Sequence, residues 1–271
     1  LAGSGNTGSS ISNVLTGNVR VRFSGAGFSG VRYGETGGAD NDEGRGIKIA
    51  ADSGAGSMDR IKIEDSLIES SEGEGIYLNG DTGISEIART EIIANKRNGI
   101  SLADPSSSSI GLKIYASLLR ENTGNGLVYN SVAGKGLEVY NCTFYNNTVI
   151  DLSVLSSSGY LKLKNNIYYS AVTHLYLASL PAGVEIDYNC YYENGASIIG
   201  VGASAYISVA DFHAAYLSCD NSGTGADPSF DVNLVPGSSD CRGKGTPVAG
   251  VVYDLNGNSY RNPTTIGAFE Y

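Results

Sequence analysis

The feature that most constrains the fold is a repeat of short apolar strands with no helical pattern between them. Segments such as Gly46-Ile-Lys-Ile, Gly75-Ile-Tyr-Leu and Gly99-Ile-Ser-Leu recur every 23 to 29 residues between Ile47 and Ile198. Two further strand families follow in register, so each repeat holds three short strands. A helical crossover would fill most of such a repeat, which excludes βαβ units. The repeat therefore predicts a parallel β-solenoid, whose coils pair with their neighbours.

A column of alternating charge tests the register of the second strands independently. When these strands are aligned on their central apolar residues, the preceding positions alternate between lysine and glutamate through six repeats. Stacked strands lie ~4.8 Å apart, so opposite charges in adjacent coils attract and like charges would repel. The alternating positions are Lys62, Glu86, Lys113, Glu138, Lys162 and Glu185.

The same alignment predicts two further columns after the charged one. Small polar residues stack at the following turn, where they can pair with each other or with backbone groups. These residues are Ser66, Thr90, Ser117, Cys142, Asn166 and Asn189. The next column is predicted to face the core and consists of Ile68, Ile92, Leu119, Phe144, Tyr168 and Tyr191.

Composition narrows the function classes. The 271 residues carry a net charge of −10 and have a pI near 4.7, whereas nucleic-acid binders are usually basic. No apolar run approaches the length of a membrane span, so neither nucleic acid nor a bilayer is an expected partner. The chain opens at Leu1 without an initiator methionine, and we interpret it as a mature exported chain.

The turn and tail motifs carry a resemblance to a known family. The Asn/Gly turns, with the segments NCTF, NNIY and NCYY, resemble repeats of right-handed parallel β-helices of the pectate-lyase-like superfamily. The tail, including Ala226-Asp-Pro-Ser-Phe and Ile266-Gly-Ala-Phe-Glu-Tyr, resembles the C-terminal cap of bacterial choice-of-anchor β-helix proteins. The first resemblance covers residues 10–210 and the second covers residues 206–271.

These observations predict an all-β fold, a single-stranded right-handed parallel β-helix of about eight rungs with three strands each. Residues 1–210 form the β-helix, and residues 211–271 form an irregular cap that packs on the solenoid and is not independent. Right-handedness comes from the resemblance and from the general handedness of crossovers. The N-terminal end shows only candidate strands such as Val19-Arg-Val-Arg-Phe. An uncapped solenoid end exposes unpaired backbone groups, so we expect another domain or another copy of the chain to cover it.

Related lyases use Ca²⁺ and a Lys or Arg base, so the resemblance directs attention to one acidic turn. Asp40, Asp42 and Glu43 supply oxygen ligands that suit Ca²⁺, although a solvated acidic loop is the simpler explanation. Lys48, at an outward first-strand position, and Arg45 are the candidate catalytic residues. Calcium is the candidate cofactor of a lyase, and a scaffold requires none.

Outward-facing tyrosines are the candidate carbohydrate-binding residues. The register places Tyr145, Tyr169 and Tyr192 in one column, and Tyr115 and Tyr140 begin another on the second strands. An exposed aromatic strip can stack against sugars, and stacked aromatics can equally stabilise neighbouring strands.

The cysteines and histidines show no zinc-binding pattern. The register separates Cys142 and Cys190 by two rungs, ~9.6 Å in height, so both are predicted to be free. Cys219 and Cys241 both lie in the cap and could form a disulfide, which suits an exported protein. His174 has no paired nucleophile or second ligand, so a structural role is predicted.

Three function classes follow from these features. The favoured one is an extracellular or cell-surface scaffold that binds a polysaccharide or cell-surface glycan, or assembles through its solenoid ends. The alternative is a Ca²⁺-dependent polysaccharide lyase acting on acidic glycans. A hydrolase fits least, because the outward first-strand positions contain no pair of acids. Those positions are Lys48, Tyr77, Ser101, Val128, Ser153 and Tyr176.

Overall fold

A computed structural model of the chain describes most positions from 46 to 270 and two short stretches before them. The described residues are 20–24, 31–32, 46–50, 58–79, 82–102, 111–131, 135–157, 159–170, 173–192 and 197–270. The strands in chain order begin with β1 (Arg20–Ser24), β2 (Val31–Arg32), β3 (Ile47–Ala50), β4 (Met58–Glu69), β5 (Ile76–Asn79), β6 (Thr82–Ile93), β7 (Ile100–Leu102), β8 (Gly111–Tyr115), β9 (Leu118–Arg120) and β10 (Leu127–Ser131). They continue with β11 (Leu137–Tyr140), β12 (Thr143–Tyr145), β13 (Ile150–Ser157), β14 (Tyr160–Lys164), β15 (Ile167–Tyr169), β16 (Thr173–Leu177), β17 (Gly183–Asp187), β18 (Cys190–Tyr191), β19 (Ile199–Val201) and β20 (Ser204–Tyr206), before helix α1 (Val209–Ala215).

Two sheets form the walls of a parallel solenoid. Sheet B contains β3, β5, β7, β10, β13, β16 and β19 as successive parallel neighbours. In sheet A, β4 and β6 run through both the second and third strand positions, and these positions then separate into the series β8-β11-β14-β17 and β9-β12-β15-β18. The predicted all-β parallel solenoid is confirmed. The described residues form about five coils of the solenoid, whereas the sequence predicted about eight.

The charge column on sheet A confirms the predicted register. Lys62 pairs with Glu86 on the next coil, and Glu138 lies between Lys113 and Lys162. The ammonium nitrogen of Lys62 is 3.7 Å from the nearer carboxylate oxygen of Glu86. Alternating charge thus places an attractive neighbour above and below each member inside the column.

Apolar side chains of both sheets fill the interior, including the predicted core column. Its ring planes stack face to face, with centroids 5.1 Å apart for Phe144 and Tyr168 and 5.0 Å apart for Tyr168 and Tyr191. Equivalent rings adopt this arrangement because strand pairing sets the distance between coils. The buried column members are Ile68, Ile92, Leu119, Phe144, Tyr168 and Tyr191.

A ladder of buried polar side chains, the first ladder, supports the turn between the second and third strands. Asn166 donates through Nδ2 to the Val139 carbonyl at 2.9 Å and to Asn189 Oδ1 at 3.0 Å. Its own Oδ1 accepts the Cys142 backbone N–H at 3.0 Å. Asn189 in turn donates to Asp220, which follows the solenoid. The ladder matches the predicted polar column and continues beyond it to a carboxylate.

The corner preceding the first ladder has left-handed backbone in every coil. Left-handed geometry is rare outside glycine because Cβ crowds the following carbonyl, and Asn tolerates it better than most residues. At this corner φ lies between 45° and 58° for Asp65, Arg89, Ala116, Asn141, Asn165 and Tyr188. Because four of the six are not Asn or Gly, stacking of the coils rather than local preference sets this bend.

Antiparallel strands cover the first coil, which corrects the expectation of a bare N-terminal end. β1 pairs with β4 over five residues, and β2 pairs with β3. The candidate strand Val19-Arg-Val-Arg-Phe corresponds to β1. Backbone groups of the first described coil therefore have partners within the same chain in these two stretches.

Helix α1 closes the opposite end of the core. Its N-cap Ser208 accepts the backbone N–H of Asp211 at 3.1 Å, which satisfies one of the free donors of the first turn. Val209 and Phe212 pack into the same cluster as the solenoid core. The helix thus covers apolar side chains that a further coil would otherwise bury.

After α1 the chain reverses and its tail, residues 224–270, runs back along the outside of sheet A. The Gly267 backbone N–H donates to the Asn165 carbonyl at 2.7 Å, and the Ala268 N–H donates to Thr143 Oγ1 at 3.0 Å. Earlier in the tail, Val251 packs against sheet A near β8. The tail therefore covers a flank of the solenoid as well as its end.

Replacing Asn166 tests the energetic weight of the first ladder. Asn166→Ala leaves the Val139 carbonyl and the Cys142 N–H buried without their partner, which should lower the free energy of unfolding by about 3 kcal/mol. Urea denaturation measures the loss. Asn256→Ala, at an exposed position in the tail, is the matched control and should change stability by less than about 0.5 kcal/mol. Equal stability of the two variants would contradict a structural role for the ladder.

Candidate functional site

The predicted calcium-binding turn falls in a part of the chain that the structure does not describe. Asp40, Asp42, Glu43 and the candidate base Arg45 all lie outside the described residues. Lys48 lies on β3, where its backbone occupies the same register position as Tyr77 on β5. Calcium binding and a catalytic role for Lys48 therefore stay predictions.

Tyr115 and Tyr140 are not exposed, which corrects their prediction as carbohydrate-binding residues. Their exposed fractions are 7% and 6%, because the tail packs Val251 into the same cluster. The Tyr115 hydroxyl donates to the Glu86 carboxylate. Burial raises the pKa of both phenols above its ordinary value. Neither ring has a free face for a sugar, because the tail packs over this flank. The register of the repeats could not reveal this, since the tail lies outside the repeats.

The other tyrosine column exists as predicted, but its rings face one another. Tyr145 and Tyr169 have centroids 5.2 Å apart at an interplanar angle of 11°, and Tyr169 and Tyr192 are 4.3 Å apart at 17°. Phe230 of the tail packs edge-on at 5.8 Å from Tyr145 and 5.4 Å from Tyr169. Neighbouring rings thus occupy the inner faces, so the geometry favours stabilisation of adjacent coils over sugar stacking.

A row of uncharged side chains follows the outer face of sheet B. Each member lies between two buried residues of its strand, as in Ile76, Tyr77 and Leu78, so the alternation of a strand directs it outward. Tyrosines stand at both ends, four strand spacings or ~19 Å apart, with smaller residues between them. We call this the sheet B row: Tyr77, Ser101, Val128, Ser153 and Tyr176.

A second buried ladder, at the turn from sheet A to sheet B, ends at Asp151. Asp151 Oδ1 accepts hydrogen bonds from Asn147 Nδ2 at 3.0 Å and Ser170 Oγ at 2.6 Å. Its Oδ2 lies 2.9 Å from Nδ1 of His174, whose Nε2 lies 2.8 Å from the Tyr192 carbonyl. The preceding ladder members are Ser71, Asn95, Asn122 and Asn147.

A hydrolytic triad contains the same three residue types as Ser170, Asp151 and His174, but here the hydrogen bonds connect them in a different order. The serine donates to the aspartate instead of to the histidine, so the histidine is not placed as its base. Because a carbonyl only accepts, Nε2 of His174 must carry a hydrogen. All three side chains are buried. The arrangement supports the structural role predicted for His174.

Asp220 ends the first ladder in the same manner as Asp151 ends the second. It is 2% exposed and accepts the Tyr191 hydroxyl at 2.6 Å and the Asn189 backbone N–H at 3.1 Å. Burial raises its pKa to about 7, although these hydrogen bonds oppose the shift. Sequence analysis missed this residue, because it lies outside the repeat and only the ladder leads to it.

A charged network occupies the outer side of sheet A in the first two coils. Arg89 binds Asp65 through two hydrogen bonds of 2.6 and 3.0 Å, and Lys62 lies 2.8 Å from Glu64. The hydrogen bond to the Asp65 carboxylate raises the pKa of Arg89.

Among the described residues no group of three or more His, Cys, Asp or Glu side chains is placed to hold a metal ion.

The expected disulfide between Cys219 and Cys241 is absent, which corrects that prediction. All four cysteines are free thiols in this structure. Cys219 packs in the main core near α1, whereas Cys241 belongs to a separate cluster on the flank of sheet A. The tail separates them because it reverses direction after α1.

Comparison with known proteins identifies the family. A family model described as a right handed beta helix region matches residues 3–166, more than half of the chain. The chain belongs to the right-handed β-helix family. This assignment confirms the predicted resemblance and handedness of the β-helix, while the likeness of its tail to choice-of-anchor caps stays a prediction. No curated protein and no solved structure matches the chain.

The described part of this β-helix contains no helix that is long and apolar enough to cross a membrane. Its one described helix, α1, has seven residues. On the outer faces of the solenoid, the sheet B row is uncharged and thereby differs from the charged face of sheet A.

The titration of Asp220 should make the stability of the β-helix depend on pH. Its folded pKa of about 7 lies above the ordinary value of 3.8, so folding favours the protonated acid. The stabilisation is complete below about pH 4 and is lost as the pH rises to about 7, with a total of roughly 4 kcal/mol. Asp220→Asn should remove this decline, as measured by urea denaturation from pH 4 to pH 8.

Asp240→Asn, at an exposed position of the tail, is the control and should keep the wild-type pH profile. A profile for Asp220→Asn that is indistinguishable from wild type between pH 4 and pH 8 would show that the buried carboxyl does not titrate there.

Proposed function

We propose that this β-helix is an exported or cell-surface scaffold that binds an uncharged polysaccharide along the sheet B row. The row supports the proposal because it presents partly exposed tyrosines, whose rings are apolar and whose hydroxyls are polar, on a regular sheet. A sugar polymer presents both apolar C–H faces and hydroxyl groups, so it requires both kinds of partner. The resemblance to extracellular β-helix proteins supports export.

The order of residues in the row suits an extended ligand. Tyr77 and Tyr176 are half-buried, which holds the rings in place and reduces the entropy lost on binding. Between them Ser101 and Ser153 are 7% and 4% exposed and sit lower than the flanking tyrosines. An elongated ligand could therefore contact both rings while lying across the small residues.

Charge favours an uncharged glycan over an acidic one. The chain carries a net charge of −10, and the sheet B row contributes no positive group to offset repulsion of a polyanion. A binding site for an acidic glycan would need cations or a bound metal along the row. The proposal therefore commits to neutral polysaccharides.

Self-association through the N-terminal end receives less support from the fold. β1 and β2 already pair with the first described coil, so a second copy would have to pair with these short strands instead. A neighbouring domain at this end stays an expectation of the same kind.

Binding assays with variants of the row test the proposal. Tyr77→Ala and Tyr176→Ala should each weaken binding to a neutral polysaccharide about tenfold, since each removes an aromatic contact. Affinity electrophoresis in gels containing a panel of neutral and acidic polysaccharides provides the measurement. Tyr253→Ala, half-exposed in the tail, is the matched control and should bind as wild type does.

Two outcomes would overturn this proposal. One is an absence of retardation by every neutral polysaccharide in the panel. The other is a loss of binding in Tyr145→Ala and Tyr192→Ala while Tyr77→Ala and Tyr176→Ala bind normally, which would move the site to the stacked column on sheet A.

A Ca²⁺-dependent polysaccharide lyase is the second candidate, and the register of Lys48 favours it. The Lys48 backbone takes the position next to Tyr77, so the sheet B row continues directly into a residue that can supply a base. The acidic residues Asp40, Asp42 and Glu43 lie close to it in sequence and provide candidate calcium ligands.

Ultraviolet absorbance of unsaturated uronates distinguishes the lyase from the scaffold. If the chain is a lyase, absorbance should rise with polyuronate and Ca²⁺, stop on chelation, and fall at least about 100-fold in Lys48→Ala, because the general base is lost. Lys244→Ala, in the tail, is the control and should retain activity. No absorbance change with any acidic glycan would exclude this candidate.

A further inference from the structure

Cys190 and Cys241 meet between the last coil and the tail. Cys190 lies on β18, and Cys241 lies in the tail; both are fully buried in one cluster with Ile167 and Ile266. The Cys190 thiol donates to the Ala226 carbonyl at 3.3 Å, and the neighbouring Cys241 is the largest cause of the rise in its pKa. The two side chains thus share one small buried cluster at the junction of solenoid and tail.

Backbone hydrogen bonds hold both sides of this junction. The Cys190 N–H donates to the Asn166 carbonyl at 2.8 Å, which continues the parallel pairing of the coils. On the tail, the Ile266 N–H donates to the Cys241 carbonyl at 3.0 Å. Because neighbouring chain segments fix both backbones, the fold itself brings the two side chains together.

The other two thiols have different surroundings. Cys142 is a member of the first ladder and its thiol lies 3.3 Å from the Tyr140 carbonyl. Cys219 packs in the main core beside α1. Only the side chains of Cys190 and Cys241, among the four cysteines, share a cluster on the flank.

We propose that Cys190 and Cys241 form a disulfide that joins the tail to the last coil when the chain folds in an oxidising environment. Formation of the S–S bond removes two electrons and two protons from the pair of thiols. A small disulfide such as oxidised glutathione accepts the electrons and is released as two thiols. The reaction proceeds through a mixed disulfide with one of the two cysteines.

The burial of the two cysteines determines when the disulfide can form. In the closed fold, the neighbouring Cys241 thiol and burial raise the pKa of the Cys190 thiol well above its ordinary value. Thiolate is the attacking species, so exchange is slow once the tail has docked. The bond should therefore form during folding, while the tail is still open, and the completed disulfide should resist reductants in the native state.

Refolding of the full chain in a glutathione redox buffer tests this inference. The product should lose two hydrogens by intact mass spectrometry, and peptide mapping should connect Cys190 to Cys241. Its thermal midpoint should exceed that of the protein refolded in reductant by about 5–10 °C, because the bond closes a long loop.

Serine variants separate the possible pairings. The double variant Cys142→Ser/Cys219→Ser retains the proposed pair and should still lose two hydrogens, whereas Cys190→Ser and Cys241→Ser should not. A Cys219–Cys241 crosslink in the wild-type protein would overturn the proposal. Four free thiols in the wild type and two in the double variant, after both have refolded to the native circular dichroism spectrum, would overturn it as well. This outcome does not depend on the stability of Cys190→Ser.

Discussion

The structure depends on one constraint: the pairing of parallel strands that places equivalent residues of successive coils ~4.8 Å apart. At that distance a side chain has its own positional equivalent as its closest neighbour. Opposite charges therefore alternate from Lys62 to Glu185, rings stack from Phe144 to Tyr191, and asparagine amides bond to the next asparagine. The same constraint places non-glycine residues in left-handed geometry at equivalent corners of successive coils.

The ends of the ladders show what this constraint requires of buried polar groups. An asparagine inside a ladder both donates and accepts, so the last member needs a partner that the next coil no longer supplies. Asp151 with Ser170 and His174 completes one ladder, and Asp220 with Tyr191 completes the other. Residues that could be mistaken for catalytic groups therefore satisfy hydrogen bonds in the interior. The outer face of sheet B, with its uncharged row, is where binding is more readily placed.

Much of the fold was predictable because the period repeats in the sequence. The charge column fixed the register of six second strands, and alternation assigned Ile68 and its equivalents to the core, both of which the structure confirms. The burial of Tyr115 and Tyr140 was not predictable in this way, nor was the neighbour of Cys241. Both depend on the tail, whose irregular sequence has no period from which to derive a position.

By itself, the sequence determined which residues of the solenoid stack on one another, because every coil carries the same pattern and a shifted register would set like charges side by side. Only the tertiary structure decided which outer faces the tail covers. That outcome comes from packing between segments far apart in the chain, such as Gly267 with Asn165 and the cluster that contains Cys190 and Cys241. Each such contact occurs only once in the described fold, so no repeating sequence pattern predicts it.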